Sequence, residues 1–290
     1  MLAATTPPTP PVNPCTVPAK HLKCPDWVMS EPTEFHVRSV GKRTILMMQN
    51  TLVNVGSGPV EFRGRRLSEY EMTARQIVER TGGRSRVALR TGARLHYTYV
   101  DKTRGSYWKF SHAARFELWR LDGQGRRVER VRIGPKLDYC NRDLRRVGNY
   151  PGSPLTRHYP ACPQQEDLQT ATIGTSIGWV DSYPWVYPNN WVEVTGQKGC
   201  FVVIHRADPN DTVREEREDN NTSSKVIRLP FRHGVQTCPR FDPTTPPTAT
   251  ADPLPPEPEP VQPTTTTPTP TYFTASGWLR PAGFGSIPKL

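Results

Sequence analysis

The sequence predicts an all-β sandwich with long loops and disordered Pro/Thr-rich ends. Short runs rich in Val, Ile, Thr and aromatic residues alternate with turn signals built from Gly, Pro and Asp, which is typical of a sandwich. No long segment has the 3.6-residue apolar period of an amphipathic helix. Many of the 32 prolines are concentrated towards the two ends of the chain, where too few apolar residues occur to form a core.

Composition divides the 290 residues into three parts. Residues 1–14 and 239–290 are expected to be disordered, and residues 15–238, between the first and last cysteines, are expected to form one domain. The first residues lack the basic and apolar regions of a signal peptide. No apolar run approaches the ~20 residues that a membrane helix requires, so we expect no membrane span.

The strand prediction rests on four segments. Residues 43–64 read as two strands with VGSGP as the turn region between them. Residues 114–133 read as a hairpin around the sequence Asp-Gly-Gln-Gly at 122–125. Residues 189–209 and 223–231 supply the remaining strands. Short strands at this spacing favour two packed sheets.

The six cysteines are scattered and form no Cys-x-x-Cys pair, which argues against a zinc ribbon or a thioredoxin-type site. An even number of cysteines favours disulfides and an oxidising compartment, so we expect a secreted or cell-surface protein. Cys140 and Cys162 flank a polar, Pro-rich loop, and we expect them to form a disulfide. The sequence leaves the pairing of the other four open.

Basic residues outnumber acidic residues by 38 to 27, which gives a formal net charge of +11. This balance suggests an acidic or polymeric extracellular partner, such as an anionic glycan or a wall polymer. The arginines form no helical stripe and accompany no nucleic-acid recognition motif, so charge alone does not indicate a nucleic-acid partner.

Three segments, in this order, resemble the lysyl oxidase family: IGPKLDYCNRDL (133–144), GTSIGWVDSYPWVYPNNWVEVTG (174–196) and FVVIHRADPNDTVREEREDNNTSSKVIRL (201–229). Lysyl oxidases are secreted copper enzymes that oxidise the ε-amine of protein lysine, or other primary amines, to an aldehyde. Their cofactor is a quinone formed by cross-linking a tyrosine to a lysine of the same chain. The resemblance places this lysine at Lys136 and the tyrosine at Tyr183, with Asp181 as a candidate proton acceptor.

The family's copper ligands form a His-x-His-x-His row on a strand just before a segment that resembles AARFELW (113–119). In this chain the three positions fall on Gly105, Tyr107 and Lys109, none of which supplies an imidazole. His112 lies nearby, but in a regular strand it would point to the opposite face, and we expect it to be packed or at the surface. The resemblance therefore implies a degenerate copper site, with neither copper nor quinone.

Two functions of different classes follow from the resemblance. One is a non-catalytic, secreted binding protein, which agrees with the replaced ligands, the net charge of +11 and the Pro/Thr-rich tail. The alternative is an active copper and quinone amine oxidase with a rearranged metal site. The aromatic segment DSYPWVYPNNW (181–191) allows either a surface for sugars or proline peptides, or a part of the core.

Overall fold

The computed structural model describes residues 12–83, 85–234 and 237–247. Among them there is no α-helix, and no helix is long and apolar enough to span a membrane; two short 3-10 turns cover Pro14–Thr16 and Pro18–Lys20. The strands are β1 (Leu22–Lys23), β2 (Trp27–Met29), β3 (Thr33–Val40), β4 (Arg43–Asn54), β5 (Val60–Arg66), β6 (Glu71–Arg80), β7 (Arg86–Leu89), β8 (Arg94–Asp101), β9 (Gly105–Leu121), β10 (Arg127–Ile133), β11 (Leu137–Tyr139), β12 (Arg145–Arg146), β13 (Thr170–Thr175), β14 (Trp179–Tyr183), β15 (Trp191–Glu193), β16 (Gly199–Ala207) and β17 (Thr222–Leu229).

The strands form two antiparallel sheets, which confirms the predicted all-β sandwich class. The larger sheet has 11 strands, with the order β13-β5-β6-β8-β9-β16-β17, and β1, β7, β10 and β11 pair at its sides. The smaller sheet has six strands, with the order β12-β14-β4-β15, and β2 and β3 also pair with β4. The predicted hairpin at 114–133 is confirmed as the antiparallel pair β9 and β10.

The core lies between the two sheets and is built from alternating inward side chains. Trp27 of β2 is fully buried and packs on Phe62 of β5 and Phe110 of β9, with ring centroids 6.4 and 5.7 Å away. Phe62 and Phe110 stack on each other at 4.4 Å. Burial of an aromatic side chain of this size contributes roughly 1.5–3 kcal/mol, so this cluster is a main stabilising contact between the sheets.

The turn region between β4 and β5 carries the chain from the smaller sheet to the larger one. Gly56 and Gly58 pass so close to the backbone of residues 23–26 that a Cβ atom would lie 2.5 and 2.2 Å from it. Only glycine fits such an approach. The two strands predicted from residues 43–64 are present as β4 and β5. They belong to different sheets and do not pair with each other.

Three disulfides join the six cysteines, as Cys15–Cys24, Cys140–Cys162 and Cys200–Cys238. The second is the pairing expected from the loop. It ties the segment after β11 to the loop that leads towards β13.

The described residues at both ends contact the sandwich, so the expected boundaries at residues 14 and 238 fall inside the packed part. The Asn13 side chain donates hydrogen bonds to Glu215 and Glu218. Phe241 packs on a second cluster that includes Trp119 and Val202. The sequence prediction missed both contacts because each segment is Pro-rich and has few apolar residues. The rest of the expected ends, residues 1–11 and 248–290, lies outside the described residues.

Candidate functional site

A cavity of about 40 Å³ is bordered by β8, β9 and β11 of the larger sheet and by the segment that follows β14. Its lining includes Lys109, Asp138, Tyr139, Tyr183 and Tyr187. A cavity of this volume holds a few water molecules or one very small ligand. It combines a buried amine with several phenols, which makes it the strongest candidate for a functional site among the described residues.

The turn between β8 and β9 fixes the position of the residues that reach the cavity from β9. The Asp101 carboxylate accepts hydrogen bonds from the backbone N–H groups of Thr103 and Arg104, at 3.0 and 2.8 Å. Gly105 then has φ +71°, a left-handed conformation that favours glycine. This turn starts β9 in a register that places Tyr107 opposite Thr98 and Lys109 opposite His96.

Lys109 is 5% exposed, and its amine lies between two aromatic rings. The Nζ atom is 5.2 Å from the ring centroid of Tyr107 and 4.9 Å from that of Tyr187, which is cation–π geometry. Burial lowers the pKa of Lys109 to about 8, although the nearby carboxylates of Asp138 and Asp181 oppose this shift. The cavity therefore holds a positive charge at neutral pH, at a considerable desolvation cost.

The tyrosine hydroxyls form a short contact on the same side of the cavity. The Oη atoms of Tyr107 and Tyr187 are 2.5 Å apart. Burial raises the pKa of both phenols, so both remain protonated at neutral pH. The pair closes the space between β9 and the segment after β14.

The Tyr183 hydroxyl is held in place both as a hydrogen-bond acceptor and as a donor. Its hydroxyl accepts a hydrogen bond from the backbone N–H of Cys140 at 2.8 Å and donates one to Oδ2 of Asp181 at 3.3 Å. Its ring contacts Tyr139 and Tyr187 edge-on, with centroids 4.8 and 4.3 Å away. Burial raises the pKa of Tyr183 well above its usual value, so no phenolate forms near neutral pH.

Asp181 is fully buried, and burial raises its pKa to about 6. Arg142 opposes this shift from 3.9 Å, between Nε and Oδ1 of the carboxylate. The backbone N–H of Asn141 donates a hydrogen bond to Oδ2 at 3.1 Å. A buried carboxyl with this pKa can exchange a proton near neutral pH, which suits an acid or base.

The structure brings together Tyr107, Lys109, Tyr183 and Asp181 of the residues proposed from the sequence. Gly105 is the first residue of β9, directly after the turn, and is not among the residues that line the cavity. Lys136, the expected partner of Tyr183, is half-buried directly before β11, and the cavity lining includes its neighbours Leu137 and Asp138 but not Lys136 itself.

His112 lies in a bulge of β9 rather than in a regular strand. Its φ is +58°, and the register between β9 and β11 shifts across this region. Its backbone N–H donates a hydrogen bond to Asp138, and its ring lies 3.5 Å from the Asn210 amide. The ring thus faces a loop on the outside of the sheet, in agreement with a packed or surface role.

The residues around the cavity do not fit a copper ion. Copper(II) prefers imidazole nitrogens, and the titratable side chains that line the cavity are instead one lysine, one aspartate and several tyrosines. The Lys109 charge would also repel a divalent cation. Within the part of the chain that the structure describes, no group of three or more His, Cys, Asp or Glu side chains could hold a metal ion.

The sequence reasoning did not identify Tyr187, Tyr139 and Asn50 as parts of the site. Tyr139 donates a hydrogen bond to the Asn50 side chain, and Asn50 in turn donates to Asn190 at 2.7 Å. These two hydrogen bonds anchor β11 and the segment after β14 to β4. The only available signal was the aromatic segment 181–191, in which Tyr183 and Tyr187 are buried while Val186 is 47% exposed.

Comparisons with protein-family models and with curated proteins found no match to this chain.

Proposed function

We propose that this chain is a lysyl-oxidase-like protein that does not oxidise amines and acts as a non-catalytic, secreted binding protein. One observation carries the proposal: Lys109, at one of the three positions where the family has copper ligands, lines the same cavity as Tyr183. Tyr107, at a second of these positions, contacts the Lys109 amine through its ring, and Asp181 accepts a hydrogen bond from Tyr183.

The chemistry of the cavity supports the loss of activity. In the family, the quinone forms only when copper is bound, and here an ammonium group takes the place of a copper ligand. Tyr183 stays a protonated, fully hydrogen-bonded phenol, which is a poor starting point for ring oxidation. We therefore expect Lys136 and Tyr183 to remain unlinked.

The binding role draws support from charge and from the disulfides. The net charge of +11 favours an acidic partner, and three disulfides suit an oxidising, extracellular setting. The small volume of the cavity supports a partner that binds elsewhere on the surface.

The first experiment measures hydrogen peroxide release from primary amines, including a lysine-containing peptide, with and without added copper. We expect no release above a protein-free control in either condition. Intact mass and peptide mapping after exposure to copper and oxygen should recover Lys136 and Tyr183 as separate, unmodified peptides. Amine-dependent peroxide release, or a cross-linked peptide, would instead support the alternative of an active oxidase with a rearranged site.

The second experiment restores the histidine row with the triple variant Gly105→His, Tyr107→His and Lys109→His. If the family register is correct, this variant should bind about one equivalent of copper, while the wild-type protein binds well below one. The matched control is Lys109→Met, which removes the charge without adding an imidazole and should not bind copper. A triple variant that folds but gains no copper affinity would contradict the register on which the proposal depends.

A further inference from the structure

We propose that the exposed surface of β5, β6 and β8 binds a linear sulfated glycan through Arg63, Arg65, Arg75 and Arg94, which we call the arginine face. The inference names a partner for the binding role proposed above and rests on it. All four side chains are exposed, and they lie on three adjacent strands of the larger sheet.

The strand register places the arginine face in two neighbouring rows. In the first row, Thr170, Arg65, Thr73 and Arg94 are consecutive cross-strand partners on β13, β5, β6 and β8. In the second row, Thr172, Arg63 and Arg75 are partners on β13, β5 and β6. Adjacent strands lie about 4.8 Å apart and alternate residues about 6.7 Å apart, so the four guanidinium groups share a compact surface.

Carboxylates neutralise only part of this charge. Arg63 pairs with Glu61 at 2.7 Å, and Arg94 pairs with Glu71 at 3.2 Å. Glu61 is also shared with Arg86, at 3.2 Å. Arg65 and Arg75 have no side-chain hydrogen bond or ion pair with any residue that the structure describes, so their guanidinium groups are available to a ligand.

The arrangement is unfavourable in the free protein. Arg63 and Arg75 are direct cross-strand partners, and like charges in that position destabilise a sheet. An anion that bridges the two guanidinium groups would relieve this repulsion. Anion binding would therefore remove the repulsion between Arg63 and Arg75 that destabilises the free protein. For this reason we interpret the arginine face as a binding surface rather than as a solvated surface.

The surroundings favour a sulfated glycan over a nucleic acid. Guanidinium groups form paired hydrogen bonds with oxyanions, and the exposed hydroxyls of Thr170 and Thr172 add further donors. Proteins that bind single-stranded nucleic acid combine such charges with aromatic side chains on which bases stack, and the two rows contain none. The three disulfides favour a setting where glycans are the abundant linear polyanions.

The test measures binding of a size-defined heparin octasaccharide to the full-length protein by titration calorimetry in 0.15 M NaCl. We expect the double variant R65S/R75S to raise Kd about tenfold, because two exposed charge contacts are removed. The control R38S/K42S removes the same charge from exposed positions on and beside β3, in the smaller sheet, and should change Kd less than twofold. A thermal melt of each variant confirms that it is folded.

Three results would overturn the inference: no heparin binding by the wild-type protein, equal losses in the two double variants, or equally tight binding of an oligothymidylate of matched charge. Peroxide release measured on the same preparations keeps the two proposals separate. An oxidase whose heparin affinity still depends on Arg65 and Arg75 would refute the proposed function alone, while an inactive protein without this dependence would refute the arginine face alone.

Discussion

Replacement of Lys109 by methionine should stabilise the protein at neutral pH. The side chain is 5% exposed, and its amine lies between the rings of Tyr107 and Tyr187. Methionine has a similar length and flexibility and no charge to desolvate. The substitution therefore tests whether the cavity is arranged to hold an ammonium group at the expense of stability.

The magnitude follows from the pKa of Lys109, which burial lowers from 10.5 to about 8. At 1.36 kcal/mol for each pH unit, this difference corresponds to a net cost of about 3 kcal/mol for the charged form, in which the attraction of Asp138 and Asp181 already offsets part of the desolvation. The two cation–π contacts offset roughly 1–2 kcal/mol of that cost. We expect the variant to gain roughly 1–2 kcal/mol in the free energy of unfolding at pH 7.

The gain should depend on pH in a defined direction. The folded-state pKa lies below the unfolded value, so the wild-type protein gains stability as pH rises from about 8 towards 10.5 and loses it as pH falls through about 8. The advantage of Lys109→Met should therefore be constant below about pH 7 and decrease between pH 8 and 10.5.

Urea denaturation at pH 7 and at pH 10 measures this difference. The control is Lys102→Met, which changes an exposed lysine in the turn before β9 and should alter stability by less than about 0.5 kcal/mol at either pH. A Lys109→Met variant that is less stable than the wild-type protein at pH 7, or whose difference does not change with pH, would refute the reasoning.

Three further predictions concern stability. Replacement of both Cys140 and Cys162 by serine should cost about 3 kcal/mol, because the disulfide closes a loop with a sequence separation of 22; equal denaturant midpoints would contradict this. Asp181→Asn should become more stable relative to the wild-type protein as pH rises from 4 to 7, by up to about 3 kcal/mol. The reason is that the raised pKa of Asp181 stabilises the wild-type protein below pH 3.8, and this stabilisation is lost as pH rises through about 6. Melting curves across this range measure the difference between the two proteins, and a difference that stays constant would argue against a buried carboxyl. A chain that ends at residue 238 should be about 1 kcal/mol less stable than one that ends at residue 247, because it lacks the half-buried Phe241; equal melting temperatures would show that this contact contributes nothing.

The sequence by itself determined the class of fold and the local chemistry of the turns. Alternating apolar residues and Asp-Gly turn signals depend on residues only a few positions apart, so the β9 and β10 hairpin could be predicted directly. The disulfide between Cys140 and Cys162 could likewise be predicted, because the two residues flank one polar, Pro-rich loop.

The tertiary structure alone decided which of these local features meet. Lys109 was predicted only as a replaced ligand, and its place between Tyr107 and Tyr187 depends on the packing of β9 against the segment after β14. Likewise, Arg63 and Arg75 become neighbours only through the register of β5 with β6.

The physical reason is the range of the interactions involved. Turn chemistry and side-chain alternation are fixed within one segment, whereas strand register and the contact of two sheets depend on close packing between segments that can be more than 100 residues apart. Trp27 and Phe110 lie 83 positions apart, and nothing in either segment alone indicates that the two rings touch.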